Sequence, residues 1–483
     1  MERKNINKMA RMHINEYICV LLAIACTNQE KNMKRLFCPA SVMSVLMLVC
    51  SCEKDDIVGN VSDEYIDPSD SDNIEVYYEK LYNPSEFCDF IGNSMSDYME
   101  QLFSEEANAI FKASVSTAFA HTRSAVDSQV ALEKNTSELL ARSMWQVRRI
   151  NYRYWSVSQA GTPIQLSASV IVPALRNANV SHTLSGLSMC APHKSATKEH
   201  CPTVAGTLLM ARVGFNHAVV VPDYEGRGIS SDFEFYSGKM LPHARQMIDA
   251  TLAAMTILRN DGYVFSEDFG TYNIGISEGG GVVYCAHKLI ENDIAPAQRD
   301  RINLKMTFSA NGCVSMRNYN TVLIDNNTFT EESLPEVTEL LQKYLDRIPV
   351  SERNGHTADE LSSPDILGQD GKLNMDNPAI RFIVEYLSKD DIAYNWNPQH
   401  PIVFEGSYDD STIDFESQGA FAYDLLVRRP DGTENGNVRM QSFPTPISAK
   451  IGEHLGSEYM FSHLMADFIS FNKAMNWLDP TGK

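Results

Sequence analysis

The chain has 483 residues, 43% of them hydrophobic, and a formal net charge of −21. That is enough apolar material for a real core, in a length ordinary for one large α/β domain with insertions, and it argues against both a disordered chain and a membrane-spanning one. The first 51 residues hold seven Lys/Arg against three Asp/Glu, so the rest is more acidic still. Such a surface repels phosphates and argues against a nucleic-acid partner.

Residues 33 to 52 read MKRLFCPASVMSVLMLVCSC. A basic start at Lys34 and Arg35 precedes an apolar run from Val42 to Val49, then small residues and cysteine. This is the layout of a signal peptide, too short for a spanning helix and complete from Met33 onward. Ser51-Cys52 resembles the end of the lipobox of Gram-negative lipoproteins. The resemblance implies that Cys52 receives diacylglycerol, and Glu53-Lys54-Asp55-Asp56 resembles a short acidic surface-export tag. The expected location is therefore the outer membrane, facing the periplasm or the cell surface. The organisation expected is a leader and signal peptide over 1–52 and an acidic flexible tether over 53–75. A plain amino-terminal membrane helix is the alternative for the leader.

Residues 76–148 are expected to be a helical extension, on apolar spacing in FCDFIGNSMSDYMEQLF and near LLARSMW. From Arg149 strands alternate with helices. Strands are expected over 164–174, 184–192, 217–226, 302–310 and 400–408. Helices are expected over 243–260 and 464–478, and a strand, tight turn and helix over 272–292. Apolar runs such as VVVP and PIVF suit parallel strands covered on both faces. The pattern implies an α/β fold with a doubly wound, mostly parallel sheet, whose core spans 149–312 and 400–483. The intervening 313–399, with helical LPEVTELLQKYLDRI and PAIRFIVEYL, reads as a cap: either a lid or a helical embellishment.

Five cysteines fall in the leader region and five in the folded part (Cys88, Cys190, Cys201, Cys285 and Cys313), an odd number that gives no complete disulfide framework. Cys190 and Cys201 flank one loop, where they either pair or stay as free thiols. No HExxH, CxxC, P-loop or GxGxxG pattern is present, and His193 and His200 beside those cysteines match no zinc spacing. No metal or cofactor is expected.

The sharpest motif is Gly275-Ile276-Ser277-Glu278-Gly279, placed between an apolar strand and a glycine-led helix. A hydroxyl presented at such a turn sits at a helix N-terminus, where the N–H of Glu278 can face a developing oxyanion. Serine needs a base and an orienting acid to attack at neutral pH. The strand 400–408 ends in Gly406-Ser407-Tyr408-Asp409-Asp410. Asp409, three residues after Gly406, is preferred as the acid over Asp410. His454, in the loop Gly452-Glu453-His454-Leu455-Gly456, is preferred as the base over His463, which sits inside a helical pattern.

With these residues the chain resembles the α/β-hydrolase superfamily, in its secretory-lipase-like and acyl-esterase branches. Pro222-Asp223-Tyr224-Glu225-Gly226 and the strand pair from Tyr154 to Pro173 carry the resemblance further. It implies a serine hydrolase that cleaves small-molecule carboxylic esters, with Ser277, Asp409 and His454 as its triad and no cofactor. The family often has an HG segment for the second oxyanion donor. Here the loop reads Ala191-Pro192-His193-Lys194-Ser195, which leaves that role to the N–H of His193 or Lys194. A serine peptidase, a carbohydrate-ester deacetylase, and a surface binding protein on the same fold are the alternatives. Asp223 and Glu225 are expected to make turn hydrogen bonds, with Gly226 and Gly228 at the bend and Arg227 a candidate contact for an acidic substrate.

Overall fold

The computed structural model describes residues 66–83, 86–87, 90, 145–175, 182–191, 216–233, 240–315, 318, 334–347, 353–362, 364–387, 396–410, 413–429 and 431–443. The strands are β1 (Glu75–Tyr82), β2 (Trp145–Val157), β3 (Pro163–Leu175), β4 (His182–Leu184), β5 (Gly186–Ala191), β6 (His217–Pro222), β7 (Tyr263–Phe265), β8 (Thr271–Ile276), β9 (Leu304–Ala310), β10 (Ile402–Ser407) and β11 (Val438–Phe443). The helices used below are α1 (Met240–Asn260), α2 (Glu278–Asn292), α3 (Pro296–Ile302), α4 (Leu334–Arg347), α5 (Pro378–Leu387) and α6 (Phe421–Leu426).

Nine strands form one sheet in the order β1-β2-β3-β6-β5-β8-β9-β10-β11, and β4 pairs with β7 apart from it. From β6 to β11 the neighbours run parallel. The hairpin of β2 and β3, and β1 beyond it, run antiparallel at one end. This is the doubly wound, mostly parallel sheet of an α/β-hydrolase fold.

Burial explains why the central strands read as continuous apolar runs. In β6, Ala218 and Val220 enter the cluster beneath α1 and α2, while Val219 and Val221 point into the cluster on the opposite face. A strand covered on both sides needs apolar residues at every position, not every second one. In β10, Ile402 and Phe404 pack with Tyr284 of α2, and Val403 faces the other way. Helices α1 and α2 pack on each other and on the sheet. Val337, Leu341 and Leu345 of α4, and Ile380 and Ile383 of α5, belong to the same buried cluster as α1.

Three outcomes differ from the sequence pattern. The expected helical extension over 76–148 starts as strand β1 and ends in β2, which begins at Trp145. Aromatic and β-branched EVYYEKLY suits a strand, and Glu75 opposite Arg153 and Glu79 beside Arg148 pair charge across it. Helical spacing begins only at Phe87, where the chain is helical and Phe87 packs on Tyr82. The described end of the expected tether is folded: Asp67 and Asp70 cap turns there, and Thr256 of α1 donates to the Ser69 carbonyl at 2.9 Å. Strand β11 carries no apolar alternation in VRMQSF, and four of its six side chains are at least partly exposed, as suits a sheet edge. The expected helix 464–478, the 192–201 loop with Cys201, and the leader lie outside the described residues. No described helix is long and apolar enough to cross a membrane.

Candidate active site

The winding of the sheet reverses at β5. From β5 the chain crosses to β6 on one side, then returns past β5 to β8 on the other. Such a reversal opens a crevice at the carboxyl ends of the two diverging strands, where ligands bind in open α/β sheets. Ser277 stands at that point, directly after β8. Ala191, the last residue of β5, lies opposite Gly275.

The turn at Ser277 is strained. Its backbone has φ +59° and ψ −124°, a combination that side-chain-bearing residues rarely adopt. It is held from both sides. The Ser277 N–H donates to the Ala310 carbonyl at 2.9 Å, and its own carbonyl accepts from Gly280 N–H at 2.9 Å. The glycines answer to close approach: a Cβ on Gly275 would overlap the Gly279 carbonyl, and one on Gly280 would stand 2.6 Å from Gly312 Cα. Strand and helix therefore meet backbone to backbone. Glu278 opens α2, so its N–H is one of the amides that no intrahelical carbonyl satisfies. Ser277 is 1% exposed.

The Glu278 side chain is a feature that sequence reading passed over. It is fully buried, with Oε1 3.9 Å from Nδ1 of His243, itself fully buried in α1. The His243 ring lies flat on Tyr224, with centroids 4.3 Å apart. Burial lowers the pKa of Arg227, while the charges of Glu278 and Asp223 pull it back up. A carboxyl at the first turn of α2 also suits the positive end of the helix dipole. The available signal was an acidic residue inside a Gly-x-Ser-x-Gly turn.

The PDYEG segment behaves as a scaffold. Ser167 Oγ donates to Asp223 at 2.5 Å, Gln159 N–H donates to Glu225 at 2.7 Å, and Glu225 N–H donates to the Gln246 side chain. Gly226 and Gly228 adopt φ of +82° and +53° at the bend. Arg227 lies within the influence of Glu278 and Asp223 rather than standing alone.

Strand β10 runs level with the Ser277 turn, because Glu405 pairs with Ala310 and Ile276 pairs with Ala310 from the other side. The turn after it brings the two aspartates to the same sheet edge as Ser277. They differ in setting. Asp409 is exposed, and its N–H donates to Ser407 Oγ at 3.1 Å. Asp410 is 4% exposed, and its Oδ1 accepts from Ile413 N–H at 3.0 Å. His454, His463, His193, Lys194 and Cys52 lie outside the described residues.

No family model matches the chain, and no curated protein matches its sequence. Among solved structures, it is similar to the rice cell wall degrading esterase LipA from Xanthomonas oryzae: TM-score 0.50, 16% identity, covering 72% of this chain and 95% of that one. It is also similar to Candida antarctica lipase A in its closed state, with TM-score 0.39 and 14% identity over 64% of this chain and 76% of that one. The likeness to LipA is one of fold.

Proposed function

We propose, from an α/β-hydrolase fold with a strained serine at the reversal of its sheet, that the protein is a serine hydrolase cleaving carboxylic esters. The observation that carries this reading is the Ser277 backbone, φ +59° and ψ −124°, clamped between Ala310 and Gly280. Strain of about 1–3 kcal/mol persists only where surrounding structure holds it, and it collects at functional turns. The name of LipA, an esterase of similar fold, agrees with it.

In the proposed reaction His454 takes the Ser277 proton as Oγ attacks the substrate carbonyl carbon. The tetrahedral oxyanion is met by the N–H of Glu278 and by a second N–H, from His193 or Lys194. Collapse expels the alcohol, which takes the proton from His454. Water, deprotonated in turn by His454, then adds to the acyl-enzyme, and the carboxylic acid leaves as Ser277 regains its proton. An aspartate of the 409–410 turn holds the imidazole and stabilises its cation.

The sequence spacing points to Asp409 for that last role. A second reading is favoured by burial: Asp410 is 4% exposed and fixed by the Ile413 N–H, as suits a carboxylate that orients a partner. Asp409→Asn and Asp410→Asn separate the two. The variant of the acid loses on the order of 10⁴-fold in kcat, and the other stays near wild type.

The test of the activity is labelling by a fluorophosphonate probe together with hydrolysis of p-nitrophenyl esters. Wild type labels and Ser277→Ala does not, with kcat lower by about 10⁴-fold or more. A folded wild type that neither labels nor hydrolyses any ester overturns the proposal. The membrane reading is a companion proposal: an exported lipoprotein anchored through Cys52 at the outer membrane.

A further inference from the structure

The carboxyl end of α2 lies far from Ser277, against the lead-in to β10. A 15-residue helix spans roughly 22 Å. His287 and Glu291 stand one turn apart near that end, and His400 lies two residues before β10 begins. His287 Nε2 is 3.1 Å from Glu291 Oε1, and His400 Nδ1 is 2.7 Å from the same oxygen. One ligand atom from each of the three residues lies within 4.8 Å of the other two. The side chains of His287 and Glu291 are 0% and 3% exposed, and that of His400 is 42% exposed.

The carboxylate is held from outside the trio as well. It accepts from Gln399 N–H at 2.9 Å, His400 N–H at 2.7 Å and Trp396 Nε1 at 3.1 Å. The Trp396 ring meets the His287 ring edge-on, with centroids 5.1 Å apart. Two imidazoles thus converge on one carboxylate whose orientation is already fixed by backbone and indole donors. That is the arrangement of metal ligands with their supporting shell. Tetrahedral zinc, with bonds of about 2.0–2.2 Å, sets its ligand atoms roughly 3.3–3.6 Å apart. The 3.1 Å separation would open by about 0.2–0.5 Å and the 2.7 Å separation by about 0.6–0.9 Å.

We propose that His287, Glu291 and His400 form a binding site for a divalent transition-metal ion of the zinc class, with water as the fourth ligand beside the half-exposed His400. Each imidazole gives a ring-nitrogen lone pair. The proton that this nitrogen carries in the metal-free hydrogen bond moves to the other ring nitrogen or, from an imidazolium, to solvent. Glu291 gives one oxygen and keeps its backbone and indole donors. The bound ion fastens the end of the helix that starts at Ser277 to the strand that leads to Asp409 and Asp410. The site stands independently of the reaction proposed above. Sequence reading passes over it because His400 is more than a hundred residues from its two partners.

The test uses the full chain stripped with EDTA and titrated with zinc chloride, then cobalt chloride. Calorimetry is expected to show one ion per chain, with a higher thermal midpoint and visible absorption bands of four-coordinate cobalt. His400→Ala removes a half-exposed side chain and is expected to weaken zinc binding about tenfold or more. His287→Gln does the same from the buried side. Wild type that takes up no zinc overturns the proposal, as does uptake that both substitutions leave unchanged.

Discussion

Removing the side chain of Ser277 in two different ways separates backbone strain from chemistry. Ser277→Ala deletes the hydroxyl but keeps a Cβ at φ +59° and ψ −124°; Ser277→Gly deletes both. Side-chain-bearing residues forced into such a region cost about 1–3 kcal/mol, and glycine adopts it without that cost. Against the relief stand the greater freedom of glycine in the unfolded chain, about 0.4–1 kcal/mol, and a buried methyl worth at most about 0.8 kcal/mol. The balance favours glycine over alanine by roughly 1 kcal/mol, or about 2 °C in a domain of this size. Comparing these two variants cancels the loss of the hydroxyl and its contacts. Side-by-side thermal scans read the difference, and neither variant should take the fluorophosphonate label. If alanine proves more stable than glycine by those opposing terms in full, the turn stores no strain, and the argument from geometry to a nucleophile fails.

Other perturbations have equally direct outcomes. Gly275→Ala drives a Cβ into the Gly279 carbonyl, where backbone rather than a yielding side chain is in the way. It should cost about 3 kcal/mol or more and abolish labelling; a variant with wild-type melting would refute the close approach. At the other end of the sheet, Arg148 bonds Glu79 and Asp261, each at 2.7 Å, tying β1 to the end of α1. Arg148→Met should speed hydrogen exchange in β1, by no more than about 1 kcal/mol of local stability since the pair is partly exposed. The Arg148 hydrogen bond holds Glu79 below its ordinary 4.5 despite partial burial. A depressed carboxyl contributes fully above 4.5 and loses its contribution as pH falls below it. Protection factors of the β1 amides, corrected for the intrinsic pH dependence of exchange, should therefore fall under acid in wild type and change less in the variant. Finally, Cys52→Ala should end incorporation of labelled palmitate and release the protein from membranes; persistent labelling would remove Cys52 from that role.

The sheet was legible where burial leaves a signature in the chain. VVVP in β6 and PIVF in β10 are apolar at every position because both faces are covered. The glycines around Ser277 were legible because two backbones meet there. Strand β1 was not, since its side chains are almost all exposed and only aromatic content and cross-strand charge mark it. Strand β11 sits at the other sheet edge and shows no alternation for the same reason. The choice between Asp409 and Asp410 lay beyond sequence, because neighbouring aspartates are chemically identical until the turn buries one and exposes the other. The His287–Glu291–His400 group exists only once β10 is laid beside α2.

The parallel pairing of β9 with β10 has one more consequence. Parallel neighbours oblige the chain between Asn311 and Pro401 to start at one edge of the sheet and re-enter at the other. Along that journey Leu341, Leu345, Ile380 and Ile383 sink into the same apolar mass as α1. Displacing α4 and α5 would expose these apolar side chains to water, at about 1.5–3 kcal/mol for each one fully buried.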